Sequence, residues 1–114
     1  MKYYLLILIF LIPINNAFGE QSMQCDIGPI DKVYGKSKWF VNSCPDNITL
    51  VIYSYPESPA SPFYFMFYKK EGKYNLYGEG TGDKNYTGAA REELSKLKEN
   101  DIKAIILQTR SVKK

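Results

Sequence analysis

No histidine occurs among the 114 residues. The chain therefore lacks the side chain that most often serves as general base at neutral pH, and also the commonest zinc ligand. Cysteine is limited to Cys25 and Cys44, outside any CxxC spacing, so a zinc site would need carboxylates to complete it and no metal is expected. Neither charge dominates, with 15 Lys and Arg against 12 Asp and Glu. The basic residues are scattered apart from Lys69-Lys70-Lys73 and Lys113-Lys114, whereas nucleic-acid binding calls for a concentrated stripe. A long hydrophobic run is missing too. The apolar stretch from Tyr3 to Ile14 is twelve residues, and a helix that spans a bilayer needs roughly twenty.

That short run, preceded by Lys2 and followed by Ala17-Phe18-Gly19, reads as a secretory signal peptide over residues 1–19. Ala17 and Gly19 are the small residues that a signal peptidase selects, which predicts a mature terminus at Glu20. Cys25 lacks the apolar and small residues that would mark it for lipidation, since Ser22-Met23-Gln24 precede it. Residues 20–114 are then one domain, periplasmic or secreted, with no stable membrane insertion after the leader is cut. Its formal charge is +2, because Lys2 leaves with the leader. In an oxidising compartment an even pair of cysteines is most simply a disulfide. Closing that loop of about twenty residues should contribute about 3 kcal/mol. Two N-x-T triplets, at Asn47 and Asn85, are acceptors only if the source glycosylates.

Residues 20–32, with Gly28-Pro29, read as an irregular arm. Strand composition begins at Lys38-Trp39-Phe40-Val41-Asn42, and Cys44-Pro45-Asp46-Asn47 turns the chain into a second strand over 48–55. Three prolines between Pro56 and Pro62 predict a stiff exposed loop. A third strand over Phe63–Tyr68, a tight turn at Glu71-Gly72-Lys73 and a fourth strand over Tyr74–Gly78 follow. From Thr87, an expected N-cap, Ala90, Leu94 and Leu97 recur at helical spacing; after Asn100-Asp101, a second cap signal, Ile102, Ile105 and Ile106 do the same. Strands followed by helices predict an α+β fold, an antiparallel sheet of about four strands with a C-terminal pair of helices on one face.

The glycine-rich run from Gly78 to Asn85 lies between a strand and a helix, where a phosphate loop would lie. It departs from that motif because Asp83 puts negative charge before Lys84 and Asn85 replaces the metal-binding hydroxyl. Glu79 and Asp83 supply too few oxygens for calcium. As an acid–base pair of a glycosidase they would sit in a domain with little room for a sugar cleft. The glycines are expected to serve backbone geometry, Gly78 to Lys84 swinging the chain from sheet to helix. With no arrangement of nucleophile, base and orienting group, no cofactor and no enzymatic activity are expected.

Tyrosine is the excess that remains. Of ten tyrosines, eight follow residue 19. Alternation puts Phe63, Phe65 and Phe67 on one side of the third strand and Tyr64, Met66 and Tyr68 on the other. Ile48, Leu50 and Ile52 alternate likewise with Thr49, Val51, Tyr53 and Tyr55, and Leu76 with Tyr77. A helical pair covers one side only, so Tyr53, Tyr55, Tyr64, Met66, Tyr68 and Tyr77 are expected on an open face. Tyrosine favours such places because its ring binds at little entropic cost while its hydroxyl stays wet. The expected function is a small exported binding protein, an inhibitor or immunity-type protein whose tyrosine face and proline loop hold a protein partner. The alternatives are a glycan or small-ligand binding protein of the cell envelope and, behind it, a small hydrolase.

Overall fold

The computed structural model describes residues 24–112, so the leader expected over 1–19 lies outside the described residues. Five strands, β1 (Ile27–Tyr34), β2 (Ser37–Ser43), β3 (Leu50–Ser54), β4 (Phe63–Lys70) and β5 (Lys73–Gly80), form one antiparallel meander in the order β1-β2-β3-β4-β5. Two helices, α1 (Lys84–Leu94) and α2 (Glu99–Arg110), follow and pack on one side. The α+β class and the helix pair are as the sequence predicts. The strand count is five rather than four, because the arm read as irregular enters the sheet at Ile27 as its edge strand. Gly28-Pro29 only shifts the β1 register, between Ile27 and Ile30, and does not end the strand. An edge strand tolerates a proline whose missing N–H faces away from the ladder.

Local chemistry sets the turns. Gly35-Lys36 and Glu71-Gly72 connect their strands with both central residues at positive φ, the conformation a two-residue type I′ hairpin requires. Between β2 and β3 the Asp46 carboxylate accepts from the Ile48 and Thr49 amides at 2.9 and 3.0 Å and from the Thr49 hydroxyl at 2.8 Å. Partial burial pushes the Asp46 carboxyl up, but those bonds to its charged form outweigh it and the pKa falls below 3.8. This turn buries Thr49 and leaves Ile48 37% exposed, the reverse of the alternation expected there, because β3 begins only at Leu50.

The core lies between the sheet and the helices. Trp39, Val41, Leu50, Ile52, Phe65 and Phe67 point inward from β2, β3 and β4, and meet Ala90 and Leu94 of α1 and Ile102, Ile105 and Ile106 of α2. Both helices carry the apolar stripe of an amphipathic surface helix, at 87-90-94 and 102-105-106-109. Their starts differ from the expected caps. Helix α1 is capped by Asp83, four residues before Thr87, with its carboxylate accepting from the Asn85 amide at 2.8 Å; Thr87 is instead buried in the first turns. Helix α2 starts at Glu99, and Asp101 reaches back to the Lys98 amide at 2.8 Å. Asp101 therefore serves the helix start from inside it.

Polar ties fix the helices to the hairpin β1–β2. Glu93 of α1 accepts from the Gly35 amide at 2.7 Å, and Arg110 of α2 donates to the Cys44 carbonyl at 2.8 Å. Thr109, fully buried, donates to the Ile106 carbonyl, which leaves the Ser43 hydroxyl as donor in the 2.6 Å contact between them. Cys25 and Cys44 are joined as a disulfide across the open end of the same hairpin.

Candidate functional site

The strand registers place one row of side chains across the whole outer face. Asp31 of β1 pairs with Phe40 of β2, Phe40 with Tyr53 of β3, Tyr53 with Tyr64 of β4 and Tyr64 with Glu79 of β5. Directly opposed residues share a face, so three rings stand between two carboxylates. The next row runs Asn42, Val51, Met66, Tyr77, and Tyr68 opposes Asn75 beyond it. Tyr53, Tyr64, Met66, Tyr68 and Tyr77 are thereby brought together on the side away from the helices. Tyr55, one residue past β3, completes the set by stacking on Phe40 at 3.9 Å between ring centroids. Phe65, fully buried, and Phe67 face the opposite way.

Most of these side chains are half-buried by one another, and Tyr77 is 42% exposed. Among the described residues no helix or strand layer covers them. The rings form two clusters. Phe40 contacts Tyr55 and, at 5.1 Å, Tyr53, with the Lys38 ammonium 5.9 Å from the Tyr55 centroid. Tyr64 and Tyr77 meet at 6.1 Å. Hydroxyls lock both clusters: Tyr55 donates to Asp31, while Tyr77 at 2.7 Å and Tyr64 at 3.4 Å donate to the same Glu79 oxygen. Asn42 donates from Nδ2 to the Tyr53 hydroxyl at 3.3 Å.

The electrostatics of these bonds argue against acid–base work by the tyrosines. Hydrogen bonding to Asp31 raises the Tyr55 pKa to about 12, and the bond to Glu79 raises that of Tyr77. A phenol that donates to a carboxylate is harder to ionise, so both stay neutral at physiological pH. Among the described residues no group of three or more Cys, Asp or Glu stands together as a metal site would require.

The face has members that strand alternation on the tyrosines alone does not give. Phe40 and Val51 were legible from their alternation with Trp39 and Val41, and with Leu50 and Ile52. Asp31 was hidden by the irregular reading of β1. Glu79, read as a loop carboxylate, belongs to β5 and turns toward the tyrosines. Of five surface cavities of 270 to 500 Å³, one of about 360 Å³ has Tyr55 and Lys38 in its wall and so borders the first ring cluster, and none of the five has Tyr53, Tyr64, Met66, Tyr68 or Tyr77 in its wall.

The glycine-rich connection has its donors already engaged. The Thr81 and Gly82 amides donate to the Pro62 carbonyl and the Asp83 amide to the Pro59 carbonyl, all within 3.1 Å. A side chain on Gly82 would place Cβ inside the Ala60 carbonyl. The chain thus lies directly on the proline segment, whose Ala60 is fully buried; that segment, expected to be an exposed loop, is partly a core element. No family model matches the chain, and comparison with curated proteins and with solved structures gives no match either.

Proposed function

We propose that the chain is a small exported binding protein without enzymatic activity, and that the outer sheet face docks against another protein, as an inhibitor or immunity-type protein would. The observation that carries this is the row of rings between Asp31 and Glu79, held in place by its own hydrogen bonds. Rings fixed in advance lose little entropy on association, and tyrosine-rich centres supply most of the energy of many interfaces. A glycan reader favours a groove that grips a sugar chain; none of the five cavities opens on Tyr53, Tyr64, Met66, Tyr68 or Tyr77, which favours a protein instead. The disulfide fits export into an oxidising compartment with residues 1–19 removed.

Affinity capture from envelope extract tests the reading. The wild-type protein should recover one dominant protein, and changing Tyr64 and Tyr68 together to serine should weaken that complex by about 2 to 4 kcal/mol while barely moving the melting temperature. Phe65→Ala serves as the control on the other face, costing about 3 to 5 kcal/mol of stability because it empties a core position. Binding to purified peptidoglycan with no captured protein would replace the protein-partner reading by the glycan one. Intact mass of the exported chain should begin at Glu20; retention of residues 3–19 would contradict export by a cleaved leader.

A further inference from the structure

On the helix side of the sheet, around the end of β5, lies the largest of the five cavities, about 500 Å³. Its walls include Phe63, Thr81, Lys84, Thr87, Gly88 and Arg91. We infer that this cavity is a binding site for a small organic anion, with Arg91 and Lys84 taking the carboxylate or phosphate group and Phe63 the apolar body. The site is separate from the tyrosine face, and its argument does not depend on the protein-partner reading.

The arginine is positioned, and among the described residues it forms no ion pair. Its guanidinium carbon stands 5.3 Å from the Phe65 ring centroid, a cation–π contact that orients the group. Gly78 makes the seat, since a Cβ there would come within 2.8 Å of Nη2 and of the Phe65 ring. The ion pairs within the described residues join Glu99 to Lys69 and Lys103 and involve neither Arg91 nor Lys84. Two cations and two threonines around one concavity with no carboxylate in its wall favour an oxyanion.

Gly88 supplies the second, independent observation. It lies inside α1, where glycine is about 1 kcal/mol worse than alanine, yet a Cβ at this position would meet nothing within 4 Å. Packing therefore does not require glycine there. Lys84 and Arg91 flank Gly88 by four and three residues, on the same helical face, so the missing side chain is the gap between the two cations. Any longer residue would project into the cavity. The helix N-terminus contributes little, because the Asn85, Tyr86 and Thr87 amides are already capped by Asp83. Recognition falls to the side chains, which differs from a phosphate loop.

The test is a titration followed by amide chemical shifts, with benzoate, phenyl phosphate and inorganic phosphate as probes. At least one of the two aromatic anions should bind with Kd of about 1 mM or tighter, shifting residues 80–91, and inorganic phosphate at least about tenfold more weakly for want of a body to lie on Phe63. Gly88→Leu, which fills the gap and favours the helix, should weaken that binding at least about tenfold with the melting temperature unchanged or raised. Arg91→Gln should weaken it to a similar extent, whereas Tyr64→Ser should leave it unchanged. No saturable shift over residues 80–91 at about 10 mM of either aromatic anion would overturn the proposal. So would wild-type affinity in Gly88→Leu, or inorganic phosphate binding as tightly as the aromatic anions.

Discussion

Tyr55 and Tyr34 are both pushed up to about 12 for different reasons, the first by its bond to Asp31 on an open face, the second mainly by burial. A raised phenol pKa means that the neutral form is favoured by the fold. The associated stability is fully present below the unfolded value of 10 and is lost as pH rises through 12. In an alkaline titration followed by tyrosine absorbance, Tyr34 and Tyr55 should therefore ionise last. Asp31→Asn should return Tyr55 toward 10 and leave Tyr34 in place, which residue-resolved NMR titration can separate. If Tyr55 kept its late titration in that variant, the locking of the first ring cluster by Asp31 would be wrong. At the acid end the sign reverses for Asp46. Its lowered pKa gives stability that is present above pH 3.8 and lost as pH falls through the lower folded value.

What the sequence disclosed at the level of elements depended on whether a local signal or a distant contact decides the conformation. The hairpin β2–β3 from Leu50 onward, the turn at Glu71-Gly72 and the division of β4 into Phe and Tyr sides are set by alternation and turn chemistry and stand where the residues put them, whereas Ile48 and Thr49 belong to the turn. The face of the candidate site was legible for the same reason. Strand β1 was not, because Ile27–Tyr34 has weak strand composition and is held by pairing to β2 and by the clamp at Cys25. The cap of α1 was misplaced because Asp83 was read as part of a glycine loop, when its carboxylate already serves Asn85. The connection from β5 to α1 yields a direct test. Asp83→Ala should cost about 0.5 to 2 kcal/mol through loss of the cap. Gly82→Ala should cost more, at least about 2 kcal/mol, because its Cβ collides with backbone that cannot move without undoing the Pro59 and Pro62 hydrogen bonds. Denaturant unfolding of the two variants gives the ranking; equal or reversed costs would mean that the proline segment is not a fixed platform.

Across the whole molecule, one sheet has two unlike faces. The inner face is closed by α1 and α2 and carries stability; the outer face carries rings that the fold does not need for its core. Strand β1 is an edge of the sheet that closes one side of the outer face through Asp31 and also receives Glu93 at Gly35. The disulfide holds its free end. Cys25 and Cys44 are separated by 19 positions, and opening a loop of that size should cost about 3 kcal/mol, or roughly 12 to 24 °C in melting temperature for a domain of this length. Reduction should do more than lower the melting point. With β1 freed to fray from its Cys25 end, the amides of Ile30 to Tyr34 should exchange faster than those of β3 and β4, and Asp31 should lose its bond to Tyr55. Partner capture should then weaken below the melting transition, while benzoate or phenyl phosphate binding near Arg91, whose guanidinium lies beside Phe65 of β4 and Gly78 of β5, should persist. Hydrogen exchange by mass spectrometry with and without a reductant that leaves the fold intact reads the first effect, and parallel capture and titration read the second. Uniform loss of protection across β1 to β5 would show instead that the bridge stabilises the sheet as a single unit and that β1 has no separate hold on the outer face.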